Sequence, residues 1–215
     1  MPTVQTQPFP RVSERGAATR SGLLAAAREV FVSQGYARAG VTEIVALAGA
    51  SVGSLYHHFS GKAELYVSLY DELESEYSER ARSAVRRARE AGISDPLQLF
   101  LVGARGYLDV CAEQLELSGL FARGDGPPGF DRDWRQRLSD WVSKNTEFFG
   151  RNGEPLDEAV AIVMTGAMMV AVAEMALSAD PQTARRIEDG VIEVLSRLDT
   201  LSASARAAQE ARAAH

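Results

Sequence analysis

Between Thr19 and Leu69 the apolar residues recur in three short helical blocks and then open a long fourth. In the first block Leu23, Leu24, Ala27, Val30 and Phe31 fall at i, i+1, i+4, i+7 and i+8, one face of a helix that Thr19 would cap and Gly35 would end in a left-handed turn. The second block, Val41, Ile44, Val45 and Ala48, predicts a short helix that must turn within Gly49-Ala50-Ser51. Ser51 then caps a third helix, whose Val52, Leu55 and Phe59 are expected to face the other two. That leaves Gly53, Ser54, Tyr56, His57 and His58 at or near the surface. Two helices joined by a tight turn containing glycine make a helix-turn-helix.

Downstream, the fourth helix continues through Leu65, Tyr66, Leu69, Leu73 and Tyr77 into a charged stretch that stops near Gly92. Asp95-Pro96 starts another, with Leu97, Phe100, Leu101, Ala104, Tyr107, Leu108 and Cys111 on a broad apolar face. A break is expected at Ser118-Gly119, then a loop over Gly124 to Gly129 and a helix over Asp131 to Phe149. The run Ala159 to Leu177 approaches the roughly twenty apolar residues a bilayer span requires. It contains Thr165, Gly166 and Glu174, however, and is flanked by Asp157, Glu158 and Asp180 rather than by cations or an aromatic belt. A helix apolar nearly all round is expected where its own domain covers one side and a partner subunit the other. Together with a last helix over Pro181 to Leu201, carrying Ile187, Val191, Val194, Leu195 and Leu198, it predicts a four-helix homodimer interface and no membrane insertion.

The predicted fold class is therefore all-α: an N-terminal three-helix helix-turn-helix DNA-binding domain plus a C-terminal helical ligand-binding and dimerisation domain. Residues 1–18 read as a flexible arm, 19–66 as the DNA-binding head, 67–201 as the effector-binding and dimerisation body, and 202–215 as an Ala-rich tail.

The second helix of a helix-turn-helix places its N-terminal residues at base edges in the major groove. Here these are small, Gly53 and Ser54, so the backbone can approach closely. Tyr56, His57 and His58 bring hydroxyl and ring N–H groups suited to phosphate or base, and Thr42 could contact the backbone from the second helix. Lys62 opens the fourth helix, where a cation and free N–H groups could share a phosphate. Tyr56 by itself reads equally as a packing residue. The adjacent histidines do not read as a metal site, because neighbouring residues on a helix point about 100° apart; no metal or other cofactor is expected.

The residues from Leu24-Ala25-Ala26-Ala27 to Phe31, then Gly35-Tyr36, Ile44, Ala48-Gly49-Ala50-Ser51, Gly53 to Phe59, and Lys62 to Leu65-Tyr66 closely resemble the N-terminal domain of the TetR family of transcriptional regulators. The resemblance covers about the first third of the chain. It implies a dimeric all-helical protein, a third helix that reads DNA, and a C-terminal domain that binds a small-molecule inducer. Thr42, Ser51, Gly53, Ser54, Tyr56, His57 and Lys62 fall where the family usually touches DNA. Gly40 stands where the family commonly has a Ser or Thr cap, Ala50 replaces a frequent Val, and Gly61 a frequent Ser or Asn.

Charge divides the chain the same way. Residues 1–66 carry six Lys/Arg against four acids, a net of +2, which leaves −8 for the rest of a chain of net −6. So mild a head leaves affinity to geometry and to the pairing of two heads. A single cysteine, Cys111, rules out an internal disulfide and suits a cytoplasmic protein. Of three histidines two lie in the recognition helix and one ends the chain, so the body can assemble neither a His-dependent triad nor a Glu-x-x-His di-metal site, and an enzyme is not expected. In the body Phe100, Tyr107, Phe121, Trp134, Trp141, Met164 and Met168 either line an effector pocket or fill the core, with Arg105, Asp109, Thr165 or Glu174 as polar anchors. The expectation is a ligand-responsive transcriptional regulator, a repressor that binds a palindromic DNA operator as a homodimer and is released by a small apolar or aromatic effector. The rival is a helical ligand-binding or adaptor dimer without operator binding.

Overall fold

The computed structural model describes residues 14–130, 155–178 and 180–197. These residues form helices and connecting turns, with no strand among them. Residues 1–13 of the predicted arm, the helix predicted over 131–149 with Trp134 and Trp141, and the Ala-rich tail lie outside the described residues, whereas residues 14–18 of that arm are helical. The chain divides into two compact units, Met1–Leu69 and Tyr70–His215.

The first unit holds α1 (Glu14–Gln34), α2 (Val41–Leu47), α3 (Val52–His58) and the start of α4 (Lys62–Glu90). Leu23, Ala27, Phe31, Ile44, Leu55, Leu65 and Tyr66 are completely removed from solvent. Side chains of the size of Leu, Ile and Phe contribute about 1.5–3 kcal/mol each when so buried. The helical period therefore picked out these core residues, with Val52 the exception. Thr19, expected as the cap of α1, is instead an interior residue, because the helix begins at Glu14. Ala17 and Ala18 account for the extension: alanine loses no side-chain entropy in a helix, so α1 propagates back past the cap candidate.

In the second unit the rest of α4 is joined by α5 (Pro96–Glu113), α6 (Leu115–Ala122), α7 (Pro155–Ser178) and α8 (Pro181–Ser196). Asp95 caps α5 through Gln98 N–H at 2.8 Å, and Asp180 caps α8 through Thr183 N–H at 2.9 Å. The break expected at Ser118-Gly119 falls at Gln114, and α6 runs straight through both residues. Gly119 is there because α7 comes so close that a Cβ would stand 2.8 Å from the carbonyl oxygen of Ala176.

α5 and α8 are joined by charge as well as by packing. Glu188, buried on α8, accepts from Arg185 at 2.8 Å and from Arg105 at 3.4 Å. Arg105 also holds Asp189 at 3.0 Å, and Arg185 holds Asp109 at 2.6 Å. Burial pushes the Glu188 carboxyl up from its ordinary range, and the two arginines pull it back.

On α7, Met164, Thr165, Met168, Ala171, Met175 and Ala176 are buried. Ile162, Val163, Val170 and Leu177 lie 52–61% exposed. No described helix is long and apolar enough to cross a membrane.

Candidate nucleic-acid interface

Local hydrogen bonding builds the head. Gly40 caps α2 with extended backbone and no side-chain acceptor. At the other end, Gly49 N–H donates to Ala46 O (3.2 Å) and Ala50 N–H to Val45 O (2.9 Å), with Gly49 at φ 60°. This pair of bonds is a Schellman turn, which satisfies the last carbonyls of α2 and requires a residue that tolerates the left-handed conformation. Ser51 then takes extended backbone and its Oγ accepts from Ser54 N–H at 3.1 Å, starting α3. Leu55 and Phe59 anchor that helix in the core, 0% and 2% exposed.

The Ser51 hydroxyl is thus a structural cap in the unbound head. Ser51→Ala is expected to cost about 1 kcal/mol of stability, and Ser51→Asp to restore it. Urea titration of the three proteins checks this; an alanine variant as stable as the parent would contradict the capping role.

With α3 fixed by its cap and its plug, its other face is open. Thr42, Ser51, Gly53, Tyr56 and His57 are exposed, while Ser54 and His58 are half-buried. Val52, expected in the core, is 45% exposed, next to Tyr56 at 57%. The reason is its place as the first helical residue: its Cβ tilts back toward the N-terminus, beyond the edge of the packed stripe. Leu47, at the end of α2, is 50% exposed. Sequence reasoning missed Val52 as a surface residue, because an apolar residue at helical spacing reads as core, and it left Leu47 unassigned. The His57 and His58 rings meet edge to face at 5.0 Å, and no group of three metal-ligating side chains occurs among the described residues.

Lys62 behaves differently from a free phosphate clamp. Its Nζ donates to the carbonyl oxygens of Tyr36 (2.8 Å), Ala39 (3.1 Å) and Ala37 (3.4 Å), and stands 4.3 Å from the centre of the Tyr36 ring. Those three acceptors match the three donors of an ammonium. The Tyr36 ring itself packs on Phe31 and Tyr66 at 5.9 and 5.2 Å. Lys62 therefore ties the α1–α2 connection to the start of α4. Nearby, Glu64 accepts from Ser60 N–H at 2.6 Å, which with the proximity of Arg20 holds its carboxyl below the usual range.

Two cavities of the second unit take in predicted ligand residues. One of about 720 Å³ lies among α4, α5 and α7 and takes in Phe100, Tyr107 and Met168. The other, about 230 Å³, is lined by Phe121 with Tyr70 and Phe130, whose rings lie 5.1 Å from that of Tyr70. The predicted ligand residues are thus split between two spaces, and Met164 is fully buried in the core. Tyr107 stacks on Tyr77 at 4.5 Å and donates its hydroxyl to Glu74 at 3.1 Å. The Tyr77 and Ser118 hydroxyls share a bond of 2.6 Å, and burial raises both tyrosine pKa values. Of the expected polar anchors, Arg105 and Asp109 are engaged in the α5–α8 ion network, Thr165 is buried, and Glu174 is exposed. Cys111 is buried and its thiol pushed up by burial, which makes it a packing residue rather than a reactive one.

This geometry has close relatives. Residues 23–69 match the family model described as bacterial regulatory proteins, tetR family. The HTH-type transcriptional regulator TtgR of Pseudomonas putida is 36% identical over 74 residues, a match that spans 34% of this chain and 35% of the relative. An HTH-type transcriptional repressor of Mycobacterium tuberculosis is 31% identical over 140 residues, 65% of this chain and 69% of that protein. The chain belongs to the TetR family. The TetR fold extends beyond the head: a crystal structure of a TetR-like transcriptional regulator from Rhodococcus superposes with a TM-score of 0.62 at 20% identity, covering 88% of this chain and 97% of the other. TetR-family proteins are transcriptional regulators, not enzymes.

Proposed function

We propose that this TetR-family chain is a ligand-responsive repressor that binds a palindromic operator as a homodimer and is released by a small apolar effector. The observation that carries the reading is the outward face of α3, where Val52, Gly53, Tyr56 and His57 stand exposed on a helix fixed by the Ser51 cap and the Leu55–Phe59 plug. Small residues at the helix start let the backbone approach, and Val52 offers a surface for a thymine methyl group. Thr42 and Tyr56 serve phosphates, Ser54 and His57 serve base edges, and Lys62 holds the frame that presents them.

Dimerisation rests on α7. Val163, Val170 and Leu177 repeat every seven residues and are exposed, as is Val194 on α8, so two copies can bury them against each other about a two-fold axis. Such symmetry calls for half-sites separated by one or more turns of about 34–36 Å. The relative of M. tuberculosis named a repressor supports the sign of regulation.

Selection from a randomised duplex pool tests the reading, with an enriched two-fold sequence as the expected result. Val52→Gln or Ser54→Ala should then change the enriched bases, at about 1–3 kcal/mol per altered pair, whereas Thr42→Ala should weaken all duplexes alike. A pool that shows no enrichment at moderate salt would favour the ligand-binding or adaptor dimer instead.

A further inference from the structure

We propose that the larger cavity of the second unit binds an anionic amphiphile, a carboxylate on a hydrocarbon body, with Arg86 as the anchor of the head group. The inference rests on the effector reading above and adds to its apolar body one anionic head group. Val85 from α4, Leu99, Phe100 and Ala104 from α5, and Met168 from α7 give the cavity an apolar wall. At about 720 Å³ it falls in the range of roughly 300–1,000 Å³ that drug-sized ligands occupy.

One edge of this space is cationic. Arg82, Arg86 and Arg89 fall at i, i+4 and i+7 of α4, so they share one side of the helix, and the one acid among the lining residues is Glu90. The arginines are not equivalent. Arg82 is paired with Glu79 at 3.2 Å. Arg86 meets no carboxylate among the described residues: its guanidinium reaches the Ser83 hydroxyl at 3.4 Å, and Ser83 is claimed more closely by Arg87 at 2.7 Å. A guanidinium beside an apolar wall presents a planar fork of donors that matches a carboxylate in two parallel bonds. The smaller cavity has the opposite character, with the Glu74 carboxylate and no Lys or Arg in its lining, and so disfavours an anion. Charge thus assigns the head group to the α4 edge of the larger space, and the hydrocarbon lies along Phe100 and Met168.

Calorimetry with three probes of equal chain length, each below its micelle concentration, tests the assignment on the full-length protein: dodecanoate, dodecanol and dodecylammonium. Dodecanoate is expected to bind once per chain and about tenfold more tightly than dodecanol, the preference a single charge-assisted contact supplies. Arg86→Gln should remove that preference and leave dodecanol affinity unchanged. Arg197→Gln, at an exposed arginine that follows the last residue of α8, should change nothing. Ala104→Trp should block all three probes, with circular dichroism reporting whether the variant is folded. Equal affinity for dodecanoate and dodecanol, or a preference that survives Arg86→Gln, would overturn the proposal. A duplex from the operator selection, followed by anisotropy in the same samples, separates the two readings. Dodecanoate bound at Arg86 without release of duplex would leave the site standing and remove its effector role. Duplex bound with no response to any probe in calorimetry would overturn the site and leave the DNA reading intact.

Discussion

Val170→Glu is expected to convert the dimer to folded monomers and to weaken operator binding by about 10²- to 10⁴-fold, the advantage that linking two binding modules confers. Val170 is 61% exposed, so the substitution removes little from the chain's own core. In the proposed assembly it is the middle member of the stripe Val163, Val170, Leu177. A two-fold interface sets that stripe against the same stripe of the partner, and one substitution therefore places two carboxylates in a closed apolar seam. Unpaired charges there cost several kcal/mol each, more than a seam of valines returns. Sedimentation velocity should show the monomer, with unchanged circular dichroism, and a duplex titration should show the loss. A variant that stays dimeric would move the interface off α7.

The head was legible in the sequence because short-range physics decides it. The bounds of α2 and α3 follow from Gly40, Gly49 and Ser51, and each acts within four residues through a cap or a left-handed turn. Where distant parts of the chain decide, local signals mislead. Gly119 reads as a breaker, since glycine loses the most backbone entropy in a helix, yet it stays helical because the Ala176 carbonyl leaves no room for a Cβ. Thr19 reads as a cap, and only the extension of α1 back to Glu14 places it inside.

The site divides along the same line. Residue types that suit DNA could be named from the pattern, but exposure could not: Val52 has the spacing of a core residue and the position of a surface one. Partners were still less accessible. Arg105 and Asp109 looked like free polar anchors for a ligand, and their partners Asp189 and Arg185 lie 84 and 76 residues away. Arg86 went unnoticed because one arginine in a charged helical stretch reads as solvated surface; its distinction is the apolar wall that α5 and α7 place beside it.

Lys62→Met is expected to weaken operator binding by destabilising the head, and to leave the salt dependence of binding nearly unchanged. A phosphate contact would behave the other way, lowering the slope of log K against log salt by about 0.9 with little change in stability. The three carbonyls of Tyr36, Ala37 and Ala39, met across 23–26 positions of sequence, decide between them. Hydrogen bonds to a charged group contribute about 1.5–3 kcal/mol, and partial compensation by water sets the expected loss at about 2–3 kcal/mol for the whole clamp. Lys62→Arg sharpens the test, because it keeps the charge but replaces three tetrahedral donors with a planar fork. An arginine could still grip a phosphate; it cannot address three carbonyls gathered about one point over the Tyr36 ring. Both variants should therefore unfold at lower urea than the parent and bind duplex more weakly. Parent-like stability in Lys62→Met, with a shallower salt slope that Lys62→Arg restores, would return Lys62 to the phosphate and leave the α1–α2 connection to be held by the Phe31, Tyr36 and Tyr66 rings alone.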